Sequence, residues 1–207
     1  MRLLYKTRIH NVLRAVTVDR VMHGPPYSLE PIRQAIMKAV NLDSITFRPF
    51  EPRDKGVIGR YELCYEQGGL YAAAPAKTHA IISYSSAENF CWQRFAICKE
   101  MGHLLWHDDP RFRSTTPAIL MAVVGRLTGS SMSTAMVPAI MSEDAAVLAA
   151  VDLLFPMQDR EAVYHAYTDG DISSLDLATR FRIPKHYIEE LLNPDTHENA
   201  RRFWTEE

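Results

Sequence analysis

Residues 80–109 read AIISYSSAENFCWQRFAICKEMGHLLWHDD. The apolar run Ala80-Ile81-Ile82 with Ser83-Tyr84 has the look of a strand ending, and Ser85-Ser86 with Glu88 behind them offers a helix N-cap. From there Phe90, Phe95, Ile97, Met101, Leu104 and Leu105 recur at helical spacing, which predicts a long amphipathic helix of roughly five turns. Inside it lies Lys99-Glu100-Met101-Gly102-His103, a His-Glu-x-x-His pattern whose first histidine is a lysine.

That pattern has a physical basis. Side chains four apart on a helix stand one turn above each other, so two imidazoles can hold one zinc ion while the glutamate reaches the metal-bound water as general base. Lys99 takes the first ligand position, and an ammonium has no lone pair to give. Neutralising it at pH 7 from a free-state pKa of ~10.4 costs about 4.6 kcal/mol before any bond to a metal forms. A catalytic zinc wants three protein ligands and a water, so no cofactor is expected. If the chain is an active enzyme instead, the cofactor is zinc, with Glu100 as base and His103, Glu143 and His107 as candidate ligands. His107 lies four residues after His103, and Asp108 or Asp109 stands ready to complete a shifted site at the helix end.

With these residues in place, the stretch resembles the ImmA/IrrE family of zincin-fold metallopeptidases, whose core reads approximately R-F-x-x-A-H-E-x-G-H-x-x-x-H. Arg94-Phe95, Glu100, Gly102, His103 and His107 match it. The family's second block, E-A-N-x-F-A-A-x-L-L-M-P, carries the third zinc ligand, and residues 143–156 (EDAAVLAAVDLLFP) resemble it. Counted back from Pro156, the ligand position falls on Ala145, with Asp144 and Glu143 the nearest carboxylates. The resemblance spans roughly residues 30–192. It implies an α+β fold: a zincin-like core in which a small twisted sheet packs on the long motif helix, followed by a helical C-terminal part.

The bounds of the whole chain agree with one sizeable domain or one domain with a small appendage. It has 207 residues, 47% hydrophobic and 23% charged, with a net charge of -2, which gives no electrostatic reason to expect a nucleic-acid or membrane partner. Cys64, Cys91 and Cys98 form an odd set without C-x-x-C spacing, which fits reduced thiols in a cytoplasmic protein. Cys91 and Cys98 are expected to share the buried face of the motif helix. Residues 1–23 lack a signal-peptide pattern, and no apolar run approaches membrane-spanning length.

Their alternation is equally compatible with strand and helix. Gly24-Pro25-Pro26 breaks it, and a helix follows to about Val40 with Ile32, Ala35, Ile36 and Ala39 as its stripe. Strands are expected at 45–50, 61–65 and 80–84, with a return strand beginning at 70–74. Residues 110–142 form a long connection, with a helix from Pro117 and a Gly/Ser/Thr-rich run at 128–134; a mobile flap over the groove and plain packing both account for it. The domain division is therefore 1–156, with the 110–142 insertion, and 157–207, a helical part with helix-turn-helix spacing around Ser173-Ser174 and Ile183-Pro184. On its second helix Lys185 and His186 are offset by Glu189 and Glu190, which argues against direct DNA reading. His10, His23, His165, His186 and His197 sit on polar or terminal stretches without partner spacing and read as solvated; His79 precedes the strand, and the sequence leaves open whether it faces the groove.

The expectation is a degenerate member that keeps the groove without the hydrolysis, with Lys99 pairing to Glu100 and Glu143 where a metal's charge would sit. By resemblance, the partner is a protein or peptide of the helix-turn-helix repressor type, in regulation of mobile elements or stress responses. An active zinc endopeptidase and a DNA-binding regulator are the two alternatives.

Overall fold

The computed structural model describes residues 2–52, 58–66, 77–108 and 137–205. The chain opens with helix α1 (Arg2–His23), which settles the ambiguity of the N-terminal stretch. Tyr5, Ile9, Val12 and Val16 are all buried. A strand would divide these four between two faces, whereas a helix gathers them into one stripe. Helix α2 (Leu29–Val40) starts at Ser28, whose hydroxyl accepts from the Glu30 amide, and ends at Asn41 in the left-handed region. It buries Ile32 and Ile36, while Ala39 at the edge of the expected stripe faces solvent.

Three strands follow: β1 (Ser44–Phe50), β2 (Gly59–Glu66) and β3 (Lys77–Ser85). Among the described residues they form one mixed sheet in the order β1-β3-β2, with β1 parallel and β2 antiparallel to the central strand. Period-two alternation turns Tyr61 and Leu63 of β2, with Ala80 and Ile82 of β3, to the same face. Ala80 and Ile82 are wholly buried there. The return strand expected at 70–74 and most of the 110–142 connection lie outside the described residues.

Helix α3 (Phe90–Leu104) carries the motif. It is shorter than the sequence suggested at its start. Ser85 belongs to β3, paired with Phe50 of β1, and the cap is Asn89, whose side chain accepts from the Trp92 amide at 3.2 Å. Nor is it a two-faced surface helix. From Arg94 to Leu104 every residue but Lys99 is buried, because the sheet covers one side and the helix after the connection covers another. Phe90, in the first turn, is exposed, and Cys98 is buried while Cys91 is only partly so.

That covering helix, α4 (Val137–Leu154), begins inside the expected connection, six residues before Glu143. After it come α5 (Met157–Thr168), α6 (Ser174–Phe181), α7 (Lys185–Leu191) and α8 (Pro194–Thr205). Helix α6 starts with a capping box between Ser173 and Asp176. Residues on both sides of Pro156 contribute to one continuous core: Phe181 packs against Tyr27 and Phe155, Tyr187 stacks on Phe95 at 4.1 Å, and Phe203 and Trp204 meet Tyr5. His197 is not solvated as its polar neighbours suggested. It is buried with its ring stacked 3.9 Å from that of Tyr164. No helix among the described residues is long and apolar enough to cross a membrane.

The α3–α4 contact is close because of one glycine. A Cβ on Gly102 would come within 3.1 Å of the Ala146 carbonyl oxygen and of the Ala149 Cβ. Backbone on one side and a short side chain on the other leave nothing to swing away. Gly102→Val is therefore expected to lower stability by about 1–3 kcal/mol through overpacking, measured by chemical denaturation.

Candidate functional site

The motif side chains meet where α3, α4 and β2 converge. Lys99 and His103, one turn apart on α3, both turn toward α4 and reach the same carboxylate. The Lys99 Nζ donates to Glu143 Oε2 at 2.9 Å, and His103 Nε2 lies 3.3 Å from Glu143 Oε1. The Lys99 Nζ is also 3.1 Å from Glu100 Oε1. That oxygen is buried and lacks an aligned hydrogen bond, so its attraction to the ammonium is Coulombic. The sequence-based pairing of Lys99 with Glu100 and Glu143 is what the geometry has.

Burial makes these contacts matter. Glu100 is 3% exposed and His103 6%, and the Lys99 side chain is 14% exposed against 36% for Glu143. Burial by itself would lower the Lys99 pKa, but the Glu100 and Glu143 carboxylates outweigh it and hold the amine above its ordinary value. Burial likewise pushes Glu143 up. The hydrogen bond from His103 and the charge of Lys99 overcome that and bring the carboxyl down to about 2. The site therefore holds a fixed cation against the ionised Glu143 carboxylate, with Glu100 on its other side. An unpaired carboxylate at the Glu100 position would be costly.

Three residues that motif reading passed over complete the site. Ser142 is buried, and its hydroxyl lies 3.1 Å from His103 Nδ1, so both ring nitrogens of His103 are engaged. Tyr61 of β2 stacks its ring on the imidazole at 5.5 Å. Gly59, at the start of β2, lets the strand approach Glu100: a Cβ there would be 3.1 Å from both Cγ and Oε1 of that residue. The sequence signals were present but faint. Ser142 directly precedes Glu143, and Tyr61 alternates in phase with Leu63.

His107 is not part of this cluster. Helix α3 ends at Leu104, and the next amides bond three residues back, to Gly102, His103 and Leu104. This tightening moves His107 off the line above His103. Its Nδ1 is instead 2.7 Å from the Leu104 carbonyl oxygen, and Asp108 pairs with Arg8 at 2.9 Å. The four-residue spacing is not realised on one helix, and among the described residues no shifted site forms from it; Asp109 lies outside them. Asp144, the neighbour of Glu143, is exposed.

The donor set does not fit a water-activating zinc. Such a centre needs three lone-pair donors around an ion. Lys99 presents N–H groups where one of them should be, and His103 Nε2 faces the Glu143 carboxylate at 3.3 Å. Among the described residues no group of three His, Cys, Asp or Glu side chains is placed to hold a metal ion.

The depressed Glu143 pKa makes a pH prediction. The folded value is about 2 against an ordinary 4.5. The stabilisation is thus complete above the ordinary value and is lost as pH falls through the folded one. Glu143→Gln is expected to flatten the acid limb of the stability curve in that window, read by thermal melts in a pH series. Lys99→Met, which strands the two carboxylates without their cation, is expected to cost about 3 kcal/mol at neutral pH and to make the protein more stable as pH is lowered toward the carboxylate range.

No family model matches this chain, and no curated protein and no solved structure matches it either, so its function is to be argued from the placement of Lys99, Glu100, His103 and Glu143.

Proposed function

We propose that the chain is a non-hydrolytic, cytoplasmic relative of the ImmA/IrrE family, with a zincin-like core that binds a protein or peptide partner. The observation that carries this reading is the Lys99 ammonium, 2.9 Å from Glu143 and 3.1 Å from Glu100. It supplies positive charge at the point where two helices bring their carboxylates together, yet it activates no water. The helix α3 under a small mixed sheet, with α4 delivering Glu143 against it, supports the zincin-like part of the proposal. Three unpaired cysteines support the cytoplasmic part.

The partner class follows from the resemblance: a repressor-type protein, gripped as an extended segment beside β2. Tyr61 stacked on His103 would form the floor of that groove. The helix-turn-helix spacing of α6 and α7 supports packing in place of DNA reading. Ile183, Ile188 and Leu191 are buried, and Lys185 is paired with Glu189 at 3.0 Å, which leaves little free positive charge for a phosphate backbone.

Metal analysis tests the proposal. Protein purified without chelator is expected to carry zinc far below one ion per chain and to show no peptidase activity. Lys99→His restores an imidazole one turn from His103 and frees Glu143, so that variant is expected to take up about one zinc per chain. Stoichiometric zinc in the unaltered protein, lost in His103→Ala, would overturn the non-hydrolytic reading. Tyr61→Ala is expected to weaken capture of the partner without lowering the melting temperature by more than a few degrees; a native-host pull-down that recovers no repressor-type protein removes the partner assignment.

A further inference from the structure

We infer that a second groove, remote from Lys99 and formed by α1, the start of α5 and α8, binds an anionic amphiphile: a carboxylate or phosphate head on an apolar body. The groove holds about 510 Å³, in the range of small-molecule sites. Its wall divides by chemistry. Leu13 and Val21 of α1, Met157 of α5 and Trp204 of α8 supply apolar surface, and Arg14 and Arg20 of α1 supply positive charge.

Arg20 is the anchor. Its guanidinium lies 4.5 Å above the Tyr27 ring and donates through Nη2 to the Leu153 carbonyl oxygen. These contacts fix its plane without neutralising it. Its Nε is buried with no hydrogen-bond partner, and burial holds its pKa below the ordinary arginine value. The two carboxylates that also line the groove are committed elsewhere. Asp152 accepts from Tyr5 at 2.8 Å and from Arg160 at 2.5 Å, an ion pair that cancels its charge. Asp159 accepts from the Tyr27 hydroxyl at 2.5 Å. Within the lining Arg14 and Arg20 stand against Asp159, and Asp19, outside the lining, also acts on Arg20, which leaves Arg14 as the exposed positive charge at the groove. A pre-oriented, partly desolvated guanidinium pairs with a carboxylate or phosphate more strongly than a freely hydrated one, and the apolar wall rewards a hydrocarbon body over a bare ion.

Octyl phosphate, octanoate and octyltrimethylammonium are the probes, titrated by calorimetry with tryptophan emission as a second readout. The two anions are expected to bind saturably and to perturb an emission component that Trp204→Phe removes; whichever of the two binds tighter identifies the preferred head group. Arg14→Gln, at an exposed position, and Arg20→Gln are each expected to weaken binding by about tenfold. Equal binding of the cationic probe, binding unchanged by either arginine substitution, or no saturable binding of either anion would overturn the assignment. None of these outcomes bears on the metal content of the Lys99 site.

Discussion

An ammonium held between two carboxylates from different helices is the constraint on which the centre of this molecule turns. Lys99 and Glu100 belong to α3 and Glu143 to α4. Their charges can meet only because Gly102 and Ala146 let the two helices approach to backbone distance. Packing and electrostatics are thus one feature: widening the helix pair would strand buried charge, and neutralising the charge would remove a reason for the helices to stay close. Breaking a buried pair by removing one partner is the costly direction.

The imidazole belongs to the same arrangement. His103 touches α4 through both ring nitrogens, at Ser142 and Glu143, and its face is covered by Tyr61 from the sheet. In a zinc enzyme one nitrogen binds the ion and the other is held by a neighbour. Here the Ser142 contact corresponds to that holding role, while Glu143 stands in the direction a metal would occupy. With these contacts the side chain binds helix to helix and helix to sheet.

Much of this was readable in the residues, within limits that have physical causes. The pairing of Lys99 with Glu100 and Glu143 could be anticipated, because an ammonium at a ligand position next to an acidic residue demands compensation. The helical stripe of α2 and the helix start at Ser173-Ser174 were legible because their signals are local. The start of α3 was misplaced at Ser85-Ser86 since hydroxyl residues favour caps, but sheet pairing with Phe50 carried β3 through Ser85. His107 kept the right spacing in sequence and lost it in space when the helix end tightened. Ser142 and Tyr61 contact His103 across 39 residues in one case and a strand–helix interface in the other, and no local pattern encodes such partners. The buried position of His197 was hidden for the same reason: Tyr164, its stacking partner, sits on a different helix.

A cation attached by a covalent side chain arrives with translation instead of by diffusion. Chelators do not strip it, and metal starvation does not empty it. The charge cluster around Lys99 is consequently in place from the moment the chain folds, whatever the cell's metal supply, and it is reached only by acidity low enough to protonate Glu143.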